Sequence, residues 1–228
     1  MKIGILECGA PPKALRARFG GYGGMVQRML GPAREADIFD VPSGELPSDA
    51  SCDAYVLTGS PAGVYDDLPW IPPLLAFLRQ SRGRARFVGI CFGHQAMAVA
   101  FGGSAEKSAK GWGVGLHRYA VAHRAPWMDD APHVDVAATH QDQVTSCPPG
   151  ARVVAASDFA PYAALDYGDA ISFQFHPEFT PDFATALIET LRDRFGDLSD
   201  PAIASHAQPN DCARVRRWVE RFLDGPGD

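Results

Sequence analysis

Cys91 stands between two glycines in Gly89-Ile90-Cys91-Phe92-Gly93-His94-Gln95. An apolar run over residues 86–90 leads into it, and a helical pattern leaves it and ends at Gly102-Gly103. A tight strand-to-helix turn of this kind holds a reactive side chain in a strained, exposed position and demands small neighbours. The start of the helix favours a thiolate through its dipole and its free N–H groups. The N–H of Phe92 would point toward an oxyanion formed at Cys91. Taken alone, the G-x-C-x-G spacing fits a nucleophile and a buried cysteine at a strand end equally well.

A second segment with chemical content is Phe173-Gln174-Phe175-His176-Pro177-Glu178. Residues two apart in an extended stretch point to the same side, so His176 and Glu178 can enter one pocket, with Pro177 stiffening the link. An imidazole is the usual base for a thiol, and a carboxylate fixes its tautomer and supports its charged form. The plain alternative is a surface histidine beside a helix-capping glutamate. A third segment, Thr58-Gly59-Ser60-Pro61, ends an apolar run at a glycine, where backbone can come close to a ligand. Gly59 could supply a second oxyanion N–H there. An ordinary strand-to-loop turn reads the same way.

Together, and in this order, the three segments resemble the class I glutamine amidotransferase family, the type built on a Cys-His-Glu triad. The family's G-[aliphatic]-C-x-G-x-Q elbow is matched by Gly89, Ile90, Cys91, Gly93 and Gln95. Its F-H-P-E segment is matched by Phe175, His176, Pro177 and Glu178, and its glycine turn by Thr58-Gly59-Ser60-Pro61. The resemblance covers roughly residues 1–190 and is specific at the elbow and the F-H-P-E segment. It implies that Cys91 attacks the side-chain amide of glutamine, that His176 activates the thiol and protonates departing ammonia, and that Glu178 orients His176. It also implies an oxyanion hole from the N–H groups of Gly59 and Phe92, and a glutamine contact from Gln95. A γ-glutamyl thioester would form and be hydrolysed, with no metal and no organic cofactor. Thr139-His140-Gln141-Asp142-Gln143-Val144 is similar to an H-G-D-x-V stretch lining the family's glutamine pocket, which makes His140, Gln141 and Asp142 candidate substrate-binding residues. Gln141 stands where the family has glycine, so the pocket is expected to be narrowed or reshaped. A surface turn ahead of a strand is the other reading of that stretch.

These residues need elements to hold them. Apolar runs at residues 1–8, 36–41, 53–58 and 86–90 read as strands, and residues 14–30 as helical, interrupted by Gly20-Gly21 and Gly23-Gly24. Residues 70–80 carry an apolar stripe at helical spacing, Ile71, Leu74, Leu75 and Leu78, with Pro72 and Pro73 tolerable in the first turn. This alternation predicts an α/β fold with a mainly parallel central sheet flanked by helices, flavodoxin-like. From about Trp112 the polarity alternates, and residues 115–123, 133–139, 152–157, 162–166 and 170–174 predict an added antiparallel strand region. Helices return over 182–194 and 211–223. The stretch 195–209 is the weakest in pattern, an ordered loop or short connection. No internal repeat or long linker divides the chain, so residues 1–228 are expected to form one amidotransferase-like domain, with 195–228 as a C-terminal helical extension.

Composition closes off other classes. The 228 residues are 46% hydrophobic and 21% charged, which excludes wholesale disorder. Net charge of −6 argues against nucleic acid as the partner. No window approaches the roughly 18 apolar residues that span a bilayer, and the N-terminus lacks a signal-peptide core, so a cytoplasmic location and no membrane partner are expected. Five widely spaced cysteines form no C-x-x-C pair, and His117, His123 and His133 show no ligand spacing, so neither a disulfide scaffold nor a metal site is expected. Cys8 and His94 read as packing residues. Trp112 reads as a pocket wall or packing residue, and Asp66-Asp67 as a loop turn or an amine site.

The leading expectation is therefore a stand-alone member, similar to γ-glutamyl peptidases, acting on glutamine or another γ-glutamyl small molecule and releasing glutamate with ammonia or an amine. One alternative is a latent or regulatory subunit needing a synthetase or ammonia-acceptor partner, which an exposed apolar patch at Trp127 or along 218–223 would favour. The other is an intracellular Cys peptidase, against which the His176-Pro177-Glu178 segment tells.

Overall fold

The computed structural model of the chain describes residues 1–47 and 50–225. Strand β1 (Ile3–Glu7) is followed by helices α1 (Lys13–Phe19) and α2 (Tyr22–Leu30), then β2 (Ala36–Asp40), β3 (Ala54–Leu57), α3 (Ile71–Ser81), β4 (Arg86–Ile90) and α4 (Phe92–Ala100). A series of strands comes next: β5 (Ser104–Lys107), β6 (Gly113–Val121), β7 (His133–His140), β8 (Asp142–Ser146), β9 (Arg152–Ala156), β10 (Ala164–Asp166) and β11 (Ala170–Phe173). Helices α5 (Pro181–Thr190), α6 (Arg192–Phe195), α7 (Ser199–Ser205) and α8 (Cys212–Asp224) follow. Residues 226–228 of the expected extension lie outside the described residues.

Among the described residues one nine-stranded sheet runs in the order β2-β1-β3-β4-β11-β10-β9-β6-β7. The pairings from β2 through β11 are parallel and those beyond are antiparallel. The fold is thus the expected α/β arrangement, a parallel sheet flanked by helices with an added antiparallel region, and the antiparallel strands extend the parallel sheet itself. A separate two-stranded ribbon, β5 against β8, was not legible in the sequence. Its strands are short, and Ala105 and Val144 are its buried apolar side chains.

Burial explains the parallel half. β3 (AYVL) and β11 (AISF) are buried at every position, as expected of strands with helices on both faces. Their side chains still sort by face. Ile3, Ile5, Val56, Val88 and Ile90 pack with Val26 and Leu30 of α2 and Trp218 and Val219 of α8. Leu6, Tyr55, Leu57 and Phe87 pack on the other face with Leu74, Phe77 and Leu78 of α3 and Met97 of α4. Trp127 and Trp218, whose exposure would have favoured a partner surface, are buried in the first of these cores with ring centroids 6.0 Å apart.

Two segments differ from the sequence reading. The stretch 195–209 holds α7, whose SDPAIAS sequence offers too few apolar positions to show a helical period. It is fixed by Ser205, whose Oγ accepts the Leu116 N–H of β6 at 2.8 Å. The helix expected over 182–194 breaks at Leu191 into α5 and α6. Among the described residues no helix is long and apolar enough to cross a membrane.

Two histidines are locked inside this frame. Burial lowers the pKa of His94, whose Nδ1 shares a hydrogen bond with Ser172 Oγ at 2.7 Å, to about 3. Burial, with the positive charges of His117 and His176, lowers that of His140 to about 3. The unfolded chain binds these protons near pH 6.5 and the folded chain only near 3, so their stabilising effect is complete above pH 6.5 and is lost as pH falls. Each should cost about 1.4 kcal/mol per pH unit through the window from 6.5 down to about 5. Urea unfolding across that window measures the slope, and His94→Gln should remove about one proton's share of it. A stability independent of pH there would contradict the assignment.

Candidate active site

The turn from β4 into α4 puts Cys91 at φ 51° and ψ −101°, the only positive φ of a non-glycine residue among those described. Three backbone bonds hold it: Cys91 N–H to Phe173 O at 2.8 Å, Gly93 N–H to Thr58 O at 3.2 Å, and Gln95 N–H to Cys91 O at 3.1 Å. The flanking glycines are sterically required. A Cβ on Gly93 would lie 2.5 Å from Leu57 Cβ, and one on Gly89 would lie 2.6 Å from Met97 Sδ and 2.7 Å from Gly93 O. The start of α4 therefore packs against β3 and β4 only because both positions lack a side chain, and the turn between β4 and α4 holds Cys91 in a strained backbone.

β11 is the parallel neighbour of β4 and delivers the second segment. The His176 N–H donates to Ala137 O of β7 at 2.9 Å. Its Nδ1 lies 2.8 Å from Glu178 Oε1, and both side chains are almost fully buried. Phe179 stacks flat on the imidazole, with centroids 4.0 Å apart and planes 6° from parallel. Burial opposes a charge on this ring. The Glu178 carboxylate and then negative charge and a hydrogen bond at Cys91 outweigh that, pushing the His176 pKa up to about 10. Gly59, at the end of β3, is wedged against both: a Cβ there would sit 3.1 Å from His176 Cε1 and 3.7 Å from Cys91 Cβ. Among the described residues neither the Gly59 nor the Phe92 N–H donates to a protein acceptor. The structure thus brings Gly59, Cys91, Phe92, His176 and Glu178 together.

The remaining candidates line the same cleft, about 710 Å³ in volume. Gln95 is buried, and its Nε2 donates to Asp142 O at 2.9 Å and to Gln174 Oε1 at 3.3 Å, tying α4 to the ribbon. His140 is buried with its Nε2 unpartnered. The Gln141 carbonyl accepts the Ser108 N–H at 3.1 Å. Asp142 Oδ1 accepts the Tyr65 hydroxyl at 2.9 Å, and Asp142 is the cross-strand partner of Lys107. Thr139 and His140 end β7, Gln141 links the two strands and Asp142 opens β8, and all four line the cleft.

Sequence reasoning missed Gln174, which is buried and places its Nε2 3.7 Å from Cys91 Sγ. The alternation that paired His176 with Glu178 would have found it, because Gln174 lies two residues before His176. Tyr22 and Lys107, also on the cleft wall, carried no signal. Trp112 is a wall residue, and Asp66 lines the cleft while Oδ2 accepts the Gly63 N–H at 2.8 Å. Burial pushes the thiols of Cys8 and Cys212 up, the latter to about 12. Among the described residues no group of three His, Cys, Asp or Glu side chains could hold a metal ion.

Comparison with known proteins agrees with the fold. γ-Glutamyl peptidase 3 of Arabidopsis thaliana is 27% identical over 234 residues, 92% of this chain and 92% of its own length. A glutamine amidotransferase-like protein of Schizosaccharomyces pombe is 24% identical over 208 residues, 83% of this chain and 84% of that protein. The crystal structure of a glutamine amidotransferase from Thermotoga maritima has a TM-score of 0.81 at 18% identity, covering 99% of each chain, a likeness of fold. The family model described as glutamine amidotransferase class-I matches residues 28–191, a stretch holding the glycine turn, the elbow and the segment with His176 and Glu178, and the chain belongs to that family.

Proposed function

We propose that this protein hydrolyses the γ-amide bond of a γ-glutamyl compound through a thioester on Cys91. The observation that carries the reading is the buried, charge-paired His176–Glu178 couple hydrogen-bonded to the sulfur on the strained elbow. An imidazolium beside a thiol favours the nucleophilic thiolate. The sulfur attacks the γ-carbonyl carbon, and the displaced electron pair settles on oxygen, which the free N–H groups of Gly59 and Phe92 receive. Collapse breaks the C–N bond while His176 gives its proton to the departing nitrogen. Water then gives a proton to His176 and attacks the thioester carbon. The C–S bond breaks, glutamate leaves and the thiolate is restored. Glu178 holds the imidazole plane and its charge throughout, without moving a proton itself.

The glutamyl head is a zwitterion and needs one cation and one anion. Lys107 and Asp142, opposite each other on the ribbon and both on the cleft wall, provide them. Kinship with a γ-glutamyl peptidase supports the same substrate class. Glutamate release by the purified chain, measured with glutamine and with γ-glutamyl amides, tests the reading. Release from at least one of them is expected, and no release from any by a folded protein would overturn it.

A further inference from the structure

We infer that the cleft contains a second subsite, on the His176 side of the reacting carbon, for a leaving amine that carries its own carboxylate and an apolar or aromatic side chain. This deepens the γ-glutamyl hydrolase reading and rests on it. The glutamyl head takes Lys107 and Asp142, yet Arg16 and Arg194 also line the cleft. Among the described residues neither of these arginines has a carboxylate within 4.0 Å. Arg16 spends its Nε–H on the Pro11 carbonyl at 2.9 Å. The Arg194 guanidinium lies over the Trp112 ring, 5.8 Å from its centroid. Trp112 in turn meets Phe195 edge to face at 5.1 Å. A guanidinium supported on an indole keeps its planar fork free, a geometry suited to a carboxylate.

Position follows from the proton. The group that protonates the departing nitrogen must lie against it, so the amine leaves over His176 and the stacked Phe179. From Phe179 the wall continues through Leu187 of α5 and Leu191 to Arg194 and Phe195 of α6 and to Trp112. Ammonia, the leaving group from glutamine, would touch none of this. The cleft's 710 Å³ falls in the range that encloses a molecule larger than one amino acid. A γ-glutamyl dipeptide with an apolar or aromatic second residue would fill both halves, its terminal carboxylate on Arg194 and its side chain on Trp112 and Leu191.

Three substrates separate the possibilities: γ-glutamylphenylalanine, γ-glutamylphenethylamide, which lacks only the carboxylate, and glutamine. For the wild-type protein, kcat/KM for the dipeptide should exceed that for the phenethylamide by about tenfold or more, as a charge-assisted contact at a partly exposed site provides. Arg194→Gln should bring that ratio close to one. The wild-type ratio stands as a test even where the variant fails to fold. Calorimetric binding of the same conjugates to Cys91→Ala reads the subsite without turnover, and the same order of affinity is expected. Equal kcat/KM and equal binding for dipeptide and phenethylamide would overturn the subsite while leaving γ-glutamyl hydrolysis standing. Selective binding with no turnover of any substrate would keep the subsite and overturn the hydrolase reading.

Discussion

Cys91→Ala is expected to fold and to release glutamate only at background, a loss on the order of 10⁴-fold or more, because no other group can form the thioester. The backbone at position 91 is strained whatever L side chain it carries, so alanine should leave thermal stability nearly unchanged. Cys91→Gly sharpens the expectation. It is equally inactive, yet it relieves a positive φ and should gain on the order of 1 kcal/mol, visible as a higher Tm. A glutamine-mimicking electrophile should label the wild-type protein once, at Cys91. Mass spectrometry that finds the label on another cysteine would sink the assignment. Cys8, Cys147 and Cys212 are poor competitors, since burial raises their thiols.

The second large effect belongs to His176. His176→Ala should lower kcat by roughly 10³- to 10⁴-fold, the scale of a lost proton carrier. Glu178→Gln should cost less, roughly 10- to 100-fold, because a carboxamide oxygen can still accept the Nδ1–H while the negative charge is gone. The pH profile distinguishes the two roles. Glu178 is the leading influence that raises the His176 pKa to about 10 against burial. Without that charge the imidazole loses its proton at lower pH, so the alkaline limb of kcat/KM should move toward neutrality in Glu178→Gln. Equal losses in the two variants, or an unmoved alkaline limb, would count against the assigned roles.

The candidate site was legible where chemistry dictates the local sequence. Gly89 and Gly93 are visible because Leu57 and Met97 leave no room for a Cβ, and His176 and Glu178 because a strand sends alternate residues one way. The parallel half of the fold was legible for a similar reason: continuous apolar runs such as AYVL and AISF suit only strands covered on both faces. What escaped depends on contacts remote in sequence. Lys107 joins the cleft through the pairing of β5 with β8, and α7 is held against β6 by Ser205. Residues whose placement is decided by a distant partner leave no local period to read. Gln174 is the exception, since the alternation that pairs His176 with Glu178 reaches it too.

The place of β11 in the sheet bears on how the molecule comes into being. The strand is made long after β4, yet it must slot between β4 and β10, and it carries the acceptor for the Cys91 N–H and the chain that leads to His176. Until it arrives, the parallel half ends in a bare edge at β4, with the buried apolar residues Phe87, Val88 and Ile90 along it. The nascent chain is therefore inert and prone to sticking until the last of the sheet's strands has been synthesised. Enzymatic competence then appears together with closure of the sheet, so regain of activity during refolding reports the last long-range pairing and lags the signals from local helices.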